Sequence, residues 1–343
     1  MIDIKDYSLL GHNTFSIDAK CHRFVEFNSV SELCDIVLNL RESDQPLLLL
    51  GGGSNLLFTG DYSGTVLHSA IKGIEVVNVD TQHGEVFIRC GSGEVFDNVV
   101  EYAVNEGYYG LENLSLIPGE VGASAVQNIG AYGAEAKDFI QMIEAVEVTT
   151  GKKVTLSNAD CCYSYRQSRF KQDWKNHYII TYVTYRLSLF FHPNIEYGNI
   201  REKLGEHPEK VSSQQLRKTI IEIRQAKLPD PKVQGNAGSF FMNPIIDENQ
   251  FNELLRQFPD LHYYKVETRQ GKDGYKISAG WMIDQCGWKG KHLGKAGVHD
   301  RQALVLVNLG GATGEDIIRL CNAVREDVKD KFGLDIRPEV NII

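Results

Sequence analysis

The sequence predicts a multidomain chain of mixed α and β structure, and three observations lead there. At 343 residues the chain is long enough for two domains, or three small ones, each with its own core. Two stretches, 64–91 and 141–190, carry the period-two alternation that marks strands. Elsewhere apolar residues recur at helical spacing, as in Leu33, Ile36, Val37 and Leu40, or Ile317, Cys321, Val324 and Val328.

Taken in order, residues 24–28 alternate like a short strand, and a helix follows behind Ser29 or Ser31, either of which could cap it. Pro46–Leu50 reads as a buried strand that runs straight into Gly51-Gly-Gly-Ser-Asn55. Strand patterns then recur through Thr65-Val-Leu, the run from Ile74 and the run from Glu85, joined by Gly and Asp turns. A helix at Phe96–Asn105 is closed by Gly107. Residues 110–133 form a long loop of small residues, uncommon without a function and able to wrap closely around something flat. Strands return around Ile143 and Tyr178, with the Thr150-Gly-Lys turn and the segment Tyr163–Phe170 between them. From Ser212 a helix turns Leu216, Ile220 and Ile223 inward and ends before Pro229. Beyond Pro244 come a helix near Glu248–Gln257, the segment 279–286, a strand at Ala303–Asn308 and a helix that starts after Thr313 and stops at Gly333. The last residues, 334–343, look like a strand that Pro338 makes irregular or places at an edge. There are no internal repeats.

Composition narrows the function. The chain is 42% hydrophobic and 24% charged, as in ordinary globular proteins. A net charge of -9 argues against nucleic-acid binding, which needs a basic face, but not against a small anionic ligand. No apolar run reaches the roughly 18 residues of a membrane span, and the first residues lack the basic and apolar regions of a signal peptide. The seven cysteines are odd in number and show no C-x-x-C spacing, which fits reduced thiols in the cytoplasm and no zinc site.

Three stretches carry candidate chemistry. Lys227–Pro244 holds three prolines and two glycines in eighteen residues, which excludes a regular helix or central strand. Within it Ser239 lies between a glycine and Phe240-Phe241, a setting that suits a positioned proton donor. On spacing alone, a hydrophobic turn packing those rings is the commoner reading. Gly51–Asn55 could turn bare amides toward a phosphate, although it is neither a Rossmann fingerprint nor a P-loop, and taken alone a simple tight turn is the slightly commoner reading. Arg224 and Lys227, three apart, bring two cations to the last turn of their helix, which serves equally as a solvated end favoured by the helix dipole.

Seven separated segments then point one way in order: Leu-Gly-Gly-Gly-Ser-Asn (50–55), Ile-Pro-Gly-Glu-Val-Gly-Ala-Ser (117–124), Gln-Asn-Ile-Gly-Ala-Tyr-Gly (127–133), Tyr-Arg-Gln-Ser (165–168), Lys-Leu-Pro-Asp-Pro (227–231), Gly-Asn-Ala-Gly-Ser-Phe-Phe (235–241) and Arg-Pro-Glu-Val (337–340). Together they resemble the UDP-N-acetylenolpyruvoylglucosamine reductases, in the longer type whose insertion carries Tyr197. The resemblance covers nearly the whole chain. It implies an α+β fold: a two-part FAD-binding domain of the vanillyl-alcohol-oxidase (PCMH) type plus a smaller α/β substrate-binding domain. The implied boundaries are 1–73 completed by 334–343, then 74–228, then 229–333 for the substrate.

The resemblance also implies roles. Gly51, Gly52, Gly53, Ser54 and Asn55 would cradle FAD together with Pro118, Gly119, Gly122, Ala123, Ser124, Asn128, Gly130, Ala131 and Tyr132. Some relatives attach flavin through a histidine in the first glycine loop; Ser54 and Asn55 stand there, so dissociable FAD is expected. NADPH would be the co-substrate. Ser239 would protonate C2 of the enolpyruvyl group after hydride reaches C3, with Arg166 and Glu339 flanking the substrate carboxylate. Tyr197, Arg224, Lys227 and Asn243 would bind the UDP-sugar. Met242 departs from the pattern, since many relatives carry lysine there. A cytoplasmic monomer is expected, without nucleic-acid or membrane partners. The competing accounts are an FAD-dependent oxidase of sugars or alcohols, which would want a base where Ser239 stands, and a flavin- or nucleotide-binding module that has lost its activity, which would not need Ser239, Arg166 and Glu339 together.

Overall fold

The computed structural model describes residues 1–267 and 273–343. The chain divides into two compact units, each drawing on separated segments: Met1–Ser8, Lys20–Gly53 and Tyr62–Gln225 in the first, and Leu9–Ala19, Ser54–Asp61 and Ala226–Ile343 in the second. Compactness thus gives two bodies where the sequence suggests three parts.

The first unit holds two sheets. In one, the strands Ile2–Ser8, Lys20–Phe27, Tyr62–Ser69 and Leu47–Leu50 lie side by side in that order, the first pair antiparallel and the others parallel. The helix Val30–Leu38 turns Leu33, Ile36 and Val37 inward, where they join Val25, Phe27 and Leu67 in one core. Of its two candidate caps the chain uses Ser29, whose hydroxyl accepts the Glu32 N–H. The other sheet is antiparallel, in the order Lys153–Ser157, Ile140–Glu147, Tyr178–Ser188, Glu85–Gly91 and Ile74–Asp80. Its inner face packs on the helix Phe96–Glu106 through Phe96, Val99, Val100 and Ala103. Gly107 closes that helix in the left-handed region at φ 75°.

One expectation needs correction here. The long loop 110–133 is not wholly irregular, because Val121–Gln127 forms two turns of helix. Gly122 disfavours a helix by propensity, but here its missing side chain lets the segment pack tightly: a β-carbon on Gly122 would stand 2.9 Å from the Cβ of Ser92. Tertiary contact outweighs local preference.

The helix Ser213–Lys227 buries Leu216, Ile220 and Ile223 as its spacing requires, against Ile195 and Ile200. This cluster carries Tyr132 at its edge.

The second unit has a four-stranded sheet, in the order Asn236–Ser239, Val305–Asn308, Ala296–Val298 and His292–Leu293, and a three-stranded sheet of Ile245–Ile246, Asp273–Ile277 and Tyr263–Glu267. The helix Gly314–Phe332 is capped at both ends by local chemistry: Thr313 and Asp316 exchange side-chain-to-backbone bonds, and Gly333 turns left-handed at φ 67°. The expected final strand shrinks to Asn341–Ile342, which pairs in parallel with Leu56–Leu57. Pro338 is held earlier by an isolated bridge to Phe241, as suits a residue with no N–H to give a ladder. The Lys227–Pro244 stretch likewise departs from a pure loop: Asn236–Ser239 is an edge strand with an irregular register. Among the described residues no helix is long and apolar enough to cross a membrane. None of their His, Cys, Asp and Glu side chains form a group of three or more placed to hold a metal.

Candidate flavin and substrate site

In the first unit the strand Leu47–Leu50 delivers Gly51–Gly53 against the segment 119–123. The approach is close. A β-carbon on Gly51 would stand 2.9 Å from the Cβ of Ala123, and one on Gly52 would stand 3.2 Å from the Cα of Gly119. Only glycines tolerate this fit. Gly52, Pro118 and Ala123 are exposed, while Gly53, Val121, Gly122 and Ser124 lie buried beneath them. The outcome is an open floor of small residues and backbone, shaped for a flat ligand whose phosphates need amides rather than side-chain charge. The residues present therefore fit an FAD pyrophosphate and ring. Ser54 and Asn55 fall in the second unit, where the Asn55 carbonyl accepts two bonds from Asn341, through its backbone N–H at 3.1 Å and its side-chain amide at 2.9 Å.

Beside the floor lies a polar clamp. Asn128 is fully buried and left-handed at φ 48°. Its amide donates to the Ser164 carbonyl at 2.9 Å and to Glu135 at 3.1 Å, while its Oδ1 accepts the Lys137 N–H at 3.0 Å. Its side chain is thus spent on shaping the 128–137 turn rather than turned outward. Arg166, also left-handed at φ 55°, donates to the carbonyls of Gly130 at 2.8 Å and Asn128 at 3.4 Å. Tyr132 is left-handed too, at φ 49°. Three non-glycine residues in this sparse region within one neighbourhood mark a turn that the surroundings over-determine. Ala131 pairs with Ala134 in a two-residue ribbon.

The aromatic and cationic candidates collect here as well. The rings of Tyr132 and Tyr197 meet edge to face, centroids 6.3 Å apart. Burial raises the Tyr132 phenol above its usual range, against the opposing pull of nearby Arg224. The Nε of Arg224 is buried without a hydrogen-bond partner. Burial, with the like charge of Arg166, holds its guanidinium below the usual arginine range. Lys227, three residues on, is exposed, so the two cations of that last turn live in different settings.

Sequence reasoning missed Asn113. It is 2% exposed and donates from one amide to the carbonyls of Tyr132 and Asn194, at 2.8 Å each. It therefore ties the Tyr132 turn to the Tyr197 insertion. Its neighbour Glu112 is a buried carboxyl, raised by burial, that accepts the Gly110 N–H at 2.8 Å. Polar residues in a glycine-rich loop resemble solvated ones by sequence; only their burial separates them.

In the second unit Ser239 ends its edge strand opposite Val305. Behind it Phe240 and Phe241 are fully buried, at 0% and 1% exposure. Phe240 packs edge-on against Phe15, and the two phenylalanines pack on each other. Ahead of it Gly238 is left-handed at φ 68° and donates its N–H to Asn236 Oδ1, so the serine is held from both sides. The returning chain end pairs with it: the Glu339 N–H donates to the Phe240 carbonyl at 2.8 Å and the Met242 N–H to the Arg337 carbonyl at 2.9 Å. Residues 95 and 99 apart in sequence become neighbours this way, Met242 with Arg337 and Phe240 with Glu339. Arg337 pairs with Asp335 at 3.8 Å. Asn243 Oδ1 accepts the Ala279 N–H at 2.9 Å, at the start of the helix Ala279–Gln285.

An open glycine floor with a clamped turn, joined in one chain to a serine and a carboxylate on paired segments, defines the class: an FAD-binding α+β protein with a C-terminal substrate unit. Two family models match along the chain, one described as FAD binding domain over residues 22–157 and one as the C-terminal domain of UDP-N-acetylenolpyruvoylglucosamine reductase over residues 230–343. The chain belongs to the UDP-N-acetylenolpyruvoylglucosamine reductase family. A reductase of that name from Bacteroides fragilis (strain YCH46) is 53% identical over 337 residues, covering 98% of this chain and 99% of the relative. One from Burkholderia pseudomallei (strain 1710b) is 43% identical, covering 98% of this chain and 95% of the relative. The crystal structure of a UDP-N-acetylenolpyruvylglucosamine reductase from Thermus caldophilus shares the fold, with a TM-score of 0.67 at 21% identity over 99% of this chain and 98% of that one.

Proposed function

We propose that this protein is an NADPH-dependent flavoenzyme that reduces UDP-N-acetylglucosamine enolpyruvate to UDP-N-acetylmuramate for peptidoglycan synthesis. What carries the reading is full-length kinship at 53% identity together with the pairing of the Ser239 and Glu339 segments. Gly51–Asn55 and the 118–132 segment would hold FAD. When bound, the flavin supplies two-electron chemistry, accepting hydride from NADPH and delivering it from N5 to the vinyl C3.

The protein's own groups handle the rest. Hydride addition at C3 leaves an electron pair at C2, spread onto the adjoining carboxylate. Arg166 would offer a planar fork to that carboxylate, and Glu339 would serve as proton holder or relay partner. The Ser239 hydroxyl then gives its proton to C2, forming the second new C–H bond, and regains one from solvent. Tyr197, Arg224 and Lys227 would grip the UDP diphosphate and sugar, with Asn243 shaping the loop after Ser239. We place the enzyme in the cytoplasm as a monomer, acting on a small UDP-sugar and on neither nucleic acid nor membrane.

The test separates the half-reactions. The purified protein should be yellow and should oxidise NADPH when the enolpyruvyl sugar is added. Ser239→Ala should leave reduction of the flavin by NADPH near the wild-type rate and slow its reoxidation by substrate about 10²–10⁴-fold, the usual worth of a positioned proton donor. Equal loss of both halves would refute the role. Rapid oxygen consumption without NADPH would favour an oxidase.

A further inference from the structure

One titratable cluster in the first unit lies next to the flavin floor and takes no part in the proposed chemistry. His68 sits on the strand Tyr62–Ser69, in register with Glu26 on one neighbouring strand and Leu50 on the other. Leu50 is the residue that leads into Gly51. The His68 side chain is 12% exposed and meets a carboxylate at each ring nitrogen: Nδ1 lies 2.9 Å from Glu26 Oε2 and Nε2 lies 3.2 Å from Glu120 Oε1. The other Glu120 oxygen reaches within 3.4 Å of where a β-carbon on Gly51 would stand. Phe24 covers the ring at 6.0 Å. The carboxylates that bear on its titration are those of Glu120 and Glu26, set against burial of the ring.

The geometry decides the protonation. A neutral imidazole donates from one nitrogen and presents a lone pair at the other, and that lone pair would face a carboxylate. Only the imidazolium satisfies both sides. Burial works against the charged ring, yet the bonds and charges of Glu120 and Glu26 outweigh it and hold the His68 pKa above the usual value.

Resting on the flavin reading, we propose that His68 is a positioning and charge-compensating residue of the cofactor cradle. It pins the Glu120 carboxylate to an interior strand of the sheet, keeps the 119–123 segment seated over Gly51, and offsets a negative charge that would otherwise stand beside an anionic pyrophosphate. With the ring protonated, the three side chains sum to one negative charge. Without the proton they sum to two, and Glu120 loses its anchor. Affinity for FAD therefore falls as pH rises through the His68 pKa. The tie's contribution to folding has the same sign: it is fully present below the unfolded-state value near 6.5 and lost above the raised folded value.

Flavin release from diluted holoenzyme, followed by the return of free-flavin fluorescence, measures this directly. From about pH 6 to about pH 8.5 the wild-type dissociation constant should rise about tenfold, the equivalent of one pKa unit of linkage. His68→Asn should bind weakly already at the acid end and lose the slope. Glu120→Gln, which removes the charge but keeps the shape, should also be flat and bind FAD at least as tightly as wild type at the alkaline end. A yellow wild-type protein with a flat profile, or a His68→Asn protein that keeps the slope, overturns the role of His68 and leaves the flavin reading standing. A protein that binds no FAD at any pH overturns both. Should His68→Asn fail to fold, the Glu120→Gln profile alone decides.

Discussion

Asn113→Ala removes one buried amide and tests whether the Tyr132 turn is held or merely adjacent. The lost donors are two hydrogen bonds of 2.8 Å, to the carbonyls of Tyr132 and Asn194, from a side chain 2% exposed. Leaving a buried acceptor without its donor costs about 1–3 kcal/mol. Two such acceptors, partly relieved by water entering the space, come to ~3 kcal/mol. At about 2–4 °C per kcal/mol for a body of this size, the unfolding transition of the first unit should fall by about 6–12 °C. Function should change selectively. The freed Tyr132 turn no longer registers with the insertion that carries Tyr197, so the edge-to-face pair loosens. KM for the UDP-sugar should rise about tenfold, or 1.4 kcal/mol, while flavin reduction by NADPH stays within about twofold. Differential scanning calorimetry and stopped-flow absorbance give the two readings. If Asn113→Ala unfolds at the wild-type temperature with an unchanged KM, water has replaced the amide at no cost and the clamp argument is wrong.

Two further substitutions probe the floor and the doorway. Gly51→Ala places a methyl 2.9 Å from the Cβ of Ala123, an overpacking worth about 1–3 kcal/mol. It should weaken FAD binding about 10–100-fold, and adding Ala123→Gly should restore most of it; equilibrium dialysis with FAD checks both, and a double variant no better than the single places the fault elsewhere. Lys227→Ala should raise KM for the UDP-sugar with kcat within about twofold, since the lysine is exposed and supports no core; steady-state kinetics that leave KM unchanged would return Lys227 to the status of a solvated helix end.

What the sequence made legible follows from where the information resides. The caps at Ser29, Gly107, Thr313 and Gly333 are local chemistry, readable within four residues, and those helices lie where expected. The first strand, Ile2–Ser8, is not legible because most of it is exposed and its apolar alternation stops after Ile2 and Ile4. The helix Val121–Gln127 was hidden for the opposite reason: its small residues look like a loop until Ser92 is seen pressed against Gly122. Site residues divide the same way. The glycines at 51–53 and the segment 119–123 are legible as separate motifs, whereas their mutual approach is a tertiary fact. Asn113 and His68 carry no motif of their own, and Glu120, although inside the 117–124 motif, meets His68 only in the tertiary structure; strand register brings in Glu26 alone.

The acidic net charge of -9 and a proposed pair of anionic ligands are compatible because the first unit meets negative charge with backbone rather than with numbers. Backbone amides at a glycine turn carry partial positive charge that does not titrate and needs no counterion in the empty state. Side-chain cations are then required only where specificity matters, and there the unit places two together: Arg166 and Arg224 sit close enough for the first to depress the second. Like charges so arranged are unfavourable unless something offsets them: the carbonyls of Asn128 and Gly130 accept from Arg166, while Arg224 has the more distant Asp97 charge and a buried Nε with no hydrogen-bond partner. On the proposed function, the anionic sugar nucleotide supplies the missing charge to Arg224. The arginine pair then selects for a ligand that brings its own negative charge, while the amide floor with its neutralised glutamate accepts the cofactor on shape.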